Sequence, residues 1–381
     1  MQNISSATYA DSKPHYELLD GLRGVAALLV IWYHVFEGFA FAGGGIIESI
    51  NHGYLAVDFF FILSGFVIAY AYDDRWAKKK LTLKSFFKRR LVRLHPMVIM
   101  GAVIGLIAYL MQGGVTWEDT HVGISMVTVA FLCAMFFIPA IPGAGYDVRG
   151  NGEMFPLNGP AWSLFFEYIG NILYALFVRR LSDKWLAVLV AVLGVAVVWY
   201  TTTDAAGYGM FGVGWTLDVA NFFGGLIRML FPFTMGMLIQ HHFKPIKIRG
   251  AFWICSVILV VLFHVPFIEG NEYICLNGLY EAFCIVCVFP LLIWMAASGV
   301  TTDKFSTGIC KFLGDISYPV YIVHYPLMYL FYAWLIDNKY YTLGETWPIA
   351  IAVCVASVVL AYACLKFYDE PVRKWLTKRF K

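Results

Sequence analysis

Charge is scarce in this chain: Asp, Glu, Lys and Arg make up 14% of its 381 residues, against about 25% in soluble domains. The hydrophobic share is 60%, where soluble chains carry about 45–50%, so lipid rather than water must surround much of the apolar surface. That balance excludes an ordinary soluble fold. The basic residues lie beside apolar stretches and are not gathered into one polybasic tail. The formal net charge of +3 is too mild to call for nucleic acid, and none is expected as a partner. The eight cysteines match no zinc or disulfide framework. Cys284 and Cys287 do form a CxxC pair, but within an apolar run, where free thiols are common buried residues. The first sixteen residues lack the basic n-region of a secretory signal. Ala40, Phe41 and Ala42 are spaced like a cleavage site, yet the stretch before them holds His34 and Glu37 and another apolar run follows, so the first span is expected to stay. No internal repeat is visible, and with it the inverted-repeat mark of many secondary transporters is absent.

What the chain has instead is a series of apolar stretches near the 20 residues that a bilayer requires. They fall at 24–42, 53–72, 95–112, 122–140, 161–178, 185–201, 217–240, 250–267, 279–298, 316–336 and 347–366. Lys and Arg concentrate in the connections 75–93, 179–184, 244–249 and 304–311 and in the tail 366–381, all of which the positive-inside rule assigns to the cytoplasm. Two of these connections enclose three apolar stretches, an odd number, so one stretch cannot cross. The weakest is 122–140, which runs into Pro139, Pro142, Gly143 and Gly145 and reads as re-entrant. The expected fold is an all-α polytopic membrane protein: about ten transmembrane helices plus a re-entrant segment near 122–140, one domain over 1–381, both termini cytoplasmic.

Ionisable residues within spans are costly and mark function or structural pairing. Arg23 and His34 are eleven residues apart, close to three helical turns, and share a face with Asp20 and Glu37. A rise of about 16 Å carries His34 toward mid-membrane, where an imidazole serves either as a base near neutral pH or as a hydrogen-bonding group between helices. Asp58, entering from the other side at similar depth, is expected to orient that ring or to sit wetted at the interface. Ser64 and Gly65 are small enough to let helices approach closely. Lys88, Arg89, Arg90 and Arg93 precede the third span, as charge anchors or as guanidinium forks for an anion. Residues 143–160 mix Tyr146, Asp147, Arg149, Asn151, Glu153 and Asn158, either a solvated loop or polar and aromatic groups suited to a sugar. Trp162, Ser163 and Glu167 then open the fifth span, and His324 is a second intramembrane imidazole.

Six segments, in this order over nearly the whole chain, resemble the membrane-bound acyltransferase family 3: LDGLRGVAALLVIWYHV (19–35), VDFFFILSGFVI (57–68), FKRRLVRLHP (87–96), WSLFFE (162–167), GDISYPVYIVHYP (314–326) and Glu370 with Pro371. The family's Arg-x10-His motif falls on Arg23 and His34, and its Arg-x-x-Arg motif on Arg90 and Arg93. Phe165 and Phe166 depart from the smaller residues that many members carry there. The resemblance implies a carbohydrate O-acyltransferase of the bacterial inner membrane. It would take an acyl group from cytoplasmic acyl-CoA, most commonly acetyl-CoA, and deliver it to a hydroxyl on the outer side. The chain ends at Lys381, so no appended SGNH domain is expected. Residues and resemblance together give a catalytic set of His34, Asp58 and Glu167, a donor set of Arg23, Arg90, Arg93 and Ser64, and an acceptor set of Trp162, Tyr146 and His324. No metal and no bound cofactor are expected. The competing readings are a proton-coupled carbohydrate transporter relaying through His34, Asp58 and Glu167, and a polysaccharide flippase. A soluble-type glycerolipid acyltransferase is disfavoured because His34, His95 and His121 are not followed five residues later by Asp.

Overall fold

A computed structural model describes residues 15–43, 51–268, 270–301 and 303–380. Thirteen α-helices run in order among them: α1 Glu17–Ala42, α2 Ala56–Ala77, α3 Leu83–Met111, α4 Ile124–Met135, α5 Ala161–Leu176, α6 Asp183–Thr202, α7 Val219–His242, α8 Ala251–His264, α9 Ile274–Phe283, α10 Phe289–Ala297, α11 Lys304–Asn338, α12 Leu343–Cys364 and α13 Glu370–Arg379. A π turn at Cys284–Val288 joins α9 to α10, and another at Leu365–Asp369 joins α12 to α13. The described residues hold nine helices or joined helices long and apolar enough to span a bilayer. The protein is an all-α polytopic membrane protein.

The tenth expected span, 250–267, is only the 14-residue α8. Its ends are nevertheless pinned at opposite levels of the bundle. At the start of α8, β1 (Ile248–Arg249) pairs in parallel with β2 (Gly299–Val300), and Gly299 lies against Leu18 at the start of α1. At its other end His52 N–H donates to Val265 O, and Gly53 packs on Tyr33. Helix α8 therefore runs from the level of Leu18 to that of Tyr33 on α1. Helices long and apolar enough to cross number nine among the described residues, with α8 as a shorter apolar helix beside them.

Helix α4 extends only about 18 Å at 1.5 Å per residue and ends where Phe137 meets His95 and Tyr168, with ring centroids 6.1 and 4.9 Å away. His95 is sixteen positions before Met111, so α4 turns back part-way along α3 and 122–140 is re-entrant. The following segment also enters the bundle. Leu157 O sits where a Cβ on Gly105 would go, Asn158 Nδ2 donates to Ile322 O at 3.0 Å, and Gly159 N–H donates to the Tyr329 hydroxyl at 3.1 Å. The Ile322 carbonyl is free because Pro326, four residues on, has no N–H to offer it. Asn158 fills that vacancy, which fixes the otherwise irregular segment to α11.

Helices α1 and α11 run parallel, with Gly21 against Cys310, Gly24 against Leu313 and Gly38 against Tyr332. Helices α2 and α7 approach through Gly65 against Phe233 O and Gly236 against Ile62 O. Any side chain at those positions would hold the helices apart, the small-residue logic of membrane interfaces.

Candidate active site

The parallel packing of α1 on α11 brings together the two intramembrane imidazoles. His34 and His324 stack with ring centroids 5.2 Å apart and 29° between planes. The His34 Nδ1–H donates to Glu37 Oε2 at 2.6 Å, a pairing between positions i and i+3 on one helix face. Glu37 also accepts from the hydroxyls of Tyr332 at 2.9 Å and of Tyr325 and Tyr33 at 3.3 Å. A carboxylate held by three tyrosines and one imidazole has little freedom, so the ring is fixed through Nδ1, with Nε2 on its other side. Inside the bundle the His34 and Glu37 side chains keep 13% and 30% of their surface accessible, enough for a substrate group to touch them.

The expectation that Asp58 orients His34 is not met. Asp58 and Arg228 form a buried ion pair, Nη2 to Oδ2 3.0 Å and Nε to the carboxylate oxygens 3.1 and 3.2 Å, and Arg228 also donates to the carbonyls of Tyr54 and Val213. The reason is rotational: α2 turns its Gly65 stripe onto α7, which carries Arg228. Tyr54, just before α2, packs on Tyr33 beside His34, with ring centroids 5.7 Å apart, but Asp58 faces another neighbour. Nearby, Tyr54 O–H and Phe211 N–H both donate to the buried Glu281.

Glu167 does not reach His34 either. Helix α5 begins inside the bundle, after the inserted 143–160 segment, which sets Glu167 deep enough to accept from Arg90 Nη2 at 2.8 Å and from Ser64 Oγ at 3.0 Å. One catalytic candidate and two donor candidates thus share a single knot. Arg23 belongs to the same face. Its Nε donates to Ser317 Oγ at 2.8 Å, its Nη2 donates to Gly314 O at 3.2 Å, and Asp20 pairs with it at 3.1 Å. Arg93 is exposed and lies within electrostatic reach of Arg23, Arg90, Asp20 and Arg373 of α13. Arg373 is absent from the sequence expectation, and its only sequence signal was the Glu-Pro pair just before it.

The acceptor candidates separate. Trp162 lies 5.2 Å from the Arg228 guanidinium, beside the Asp58 pair. Tyr146 packs with Tyr109, Val127 and Leu157 beneath α4. Only His324 joins His34. Ser163, next to Trp162, does touch its helix, with Oγ 2.6 Å from the Tyr321 hydroxyl. The 143–160 segment is not a solvated loop: the Arg149 guanidinium lies 3.5 Å from the Tyr329 ring centroid and also covers Trp117, and Tyr329 donates to buried Glu153. Burial pushes the Glu153 carboxyl up to about 7 and pulls the Arg149 guanidinium down. The expectation that no histidine is followed five residues later by Asp, used against a soluble-type glycerolipid acyltransferase, fails at His15 and Asp20, which pair at 3.0 Å; the histidine is 74% exposed at the entrance of α1, away from His34.

The chain is 25% identical over 378 residues to the peptidoglycan O-acetyltransferase OatA of Listeria monocytogenes, covering 95% of this chain and 56% of that protein. A putative O-acetyltransferase of Staphylococcus aureus is also 25% identical, over 93% of this chain and 57% of its own length. Protein 2 of the picA locus of Rhizobium radiobacter is 34% identical over 187 residues, 48% of this chain and 92% of that protein. The chain thus spans a little over half the length of the two O-acetyltransferases. No solved structure matches it. The acyltransferase domain model matches residues 16–366, and the chain belongs to the acyltransferase 3 family, as a multi-pass membrane acyltransferase.

Proposed function

We propose that this acyltransferase moves an acetyl group from cytoplasmic acetyl-CoA to a carbohydrate hydroxyl on the outer side of a bacterial inner membrane. The observation that carries the reading is the His34–Glu37 pair, accessible inside the bundle and about 16 Å along α1 from the Arg23 end. The basic face, turned to the cytoplasm by the positive-inside rule, suits the phosphates of the donor, and a pantetheine arm reaching inward would present its thioester at His34. His34 Nε2 acts there either as base toward the acceptor hydroxyl or as the acyl-accepting atom. In both cases Glu37 holds the tautomer and stabilises positive charge on the ring. The hydroxyl proton ends on the CoA sulfur, so the products are an ester and a free thiol. The O-acetyltransferase relatives favour a surface glycan as acceptor.

Mass spectrometry of surface glycans from cells with and without the protein tests this reading. O-acetyl esters present only with the protein would support it. Identical ester content, together with no thiol release from acetyl-CoA by the purified protein, would contradict it.

A further inference from the structure

Four arginines from three separate helices converge on the face where α1 begins: Arg23 on α1, Arg90 and Arg93 on α3, and Arg373 on α13. Like charges gather in this way only when something anionic compensates them. Protein carboxylates do so in part. Asp20 pairs with Arg23, Glu167 with Arg90, and Asp369 with Arg373 at 2.6 Å. The compensation is incomplete, because each pair uses one edge of a guanidinium. The Nε donors of Arg90 and Arg373 are buried and have no partner among the described residues, nor has Asp369 Oδ1 on the acceptor side, and Arg90 as a whole is only 8% exposed. Donors left bare in a buried setting mark a missing acceptor, and guanidinium edges match phosphate oxygens two at a time.

Arg373 lies on the last described helix. It lies beyond residues 16–366, the part of the chain that matches the family model, on a polar helix that follows the π turn Leu365–Asp369 and packs on α3.

Resting on the acyl-CoA reading above, we propose that Arg373 binds a phosphate of the donor, so that α13 forms part of the donor site. Asp369 is the stand-in anion that holds Arg373 toward Arg93 when the donor is absent. The phosphate takes the unpartnered Nε edge as the Asp369 contact gives way, and no covalent step is involved.

The test compares binding of acetyl-CoA and of acetyl-pantetheine, which lacks every phosphate, to detergent-purified protein with Arg373→Gln or Asp369→Asn. Loss of a charge-assisted contact should weaken acetyl-CoA binding roughly tenfold or more in Arg373→Gln and leave acetyl-pantetheine binding as in the wild type. Asp369→Asn breaks the same internal pair but removes a competing anion, so acetyl-CoA binding should be retained or tightened. If Arg373 only fastens α13, the two variants should behave alike toward both ligands, and that result overturns the proposal, as does a full preference for acetyl-CoA in Arg373→Gln. A wild-type protein that binds acetyl-CoA no better than acetyl-pantetheine would overturn the donor reading itself.

Discussion

His34 donates from Nδ1 to Glu37 Oε2 across 2.6 Å, and both residues belong to one helix, three positions apart. The orienting carboxylate is therefore supplied by the same element that carries the imidazole, and the geometry does not depend on a loop. Glu37→Gln keeps the size of the side chain and loses the negative charge that stabilises a positively charged ring. Turnover should fall roughly 10²- to 10⁴-fold, with acetyl-CoA affinity near that of the wild type, read as kcat against KM for thiol release.

Asp58 and Arg228 should behave differently, because their pair is structural. Removing one member strands a buried charge, which costs about 3–5 kcal/mol. Asp58→Asn and Arg228→Met should each lower thermal stability in detergent sharply. The double variant, free of a stranded charge, should recover much of the loss. Full stability in either single variant would show that the pair is not a fold element.

Arg90 and Arg93 distinguish an anchor from a grip. Replacing both with lysine keeps the charge and the topology but removes the forked geometry. Acetyl-CoA dissociation constants measured by titration should rise roughly tenfold or more. Unchanged affinity would return the two residues to simple charge anchoring.

The two expectations for the face of α1 and for Asp58 show what a linear sequence can carry. A spacing of eleven residues places Arg23 and His34 on one face of any helix, so that relation was legible, and the Pro139 and Pro142 breaks made the re-entrant segment legible too. Which neighbour a helix face meets depends on packing between distant segments. The match of Gly65 to Phe233 O and Gly236 to Ile62 O turns Asp58 toward Arg228 and away from His34, and no local pattern states it. Glu167 lies deeper than the start of its apolar stretch implies, because the insertion of residues 143–160 is secured by Asn158 and the free Ile322 carbonyl, a long-range contact. Glu37 was within reach of sequence reasoning, three positions from His34. Arg228 could also have been noticed, as a charge inside an apolar run.

Glu153 gives a dependence on pH. Burial raises its carboxyl from 4.5 to about 7, so the folded protein binds a proton between those values that the unfolded chain releases. Stability from this group is complete below about 4.5 and is lost as pH rises through 7. The wild type should thus lose stability relative to Glu153→Gln between pH 5 and 8, by on the order of 3 kcal/mol at about 1.36 kcal/mol per unit. Thermal unfolding of the two proteins across that range checks this, and parallel curves would refute it.

The most direct test of the catalytic assignment is thiol release from acetyl-CoA by purified wild-type and His34→Ala protein, each shown to be folded by its thermal transition. The account predicts a fall in rate of roughly 10²- to 10⁴-fold with the transition of the variant close to that of the wild type, because His34 keeps accessible surface within the bundle and is not a core support. A well-folded His34→Ala protein that releases thiol at the wild-type rate would contradict it.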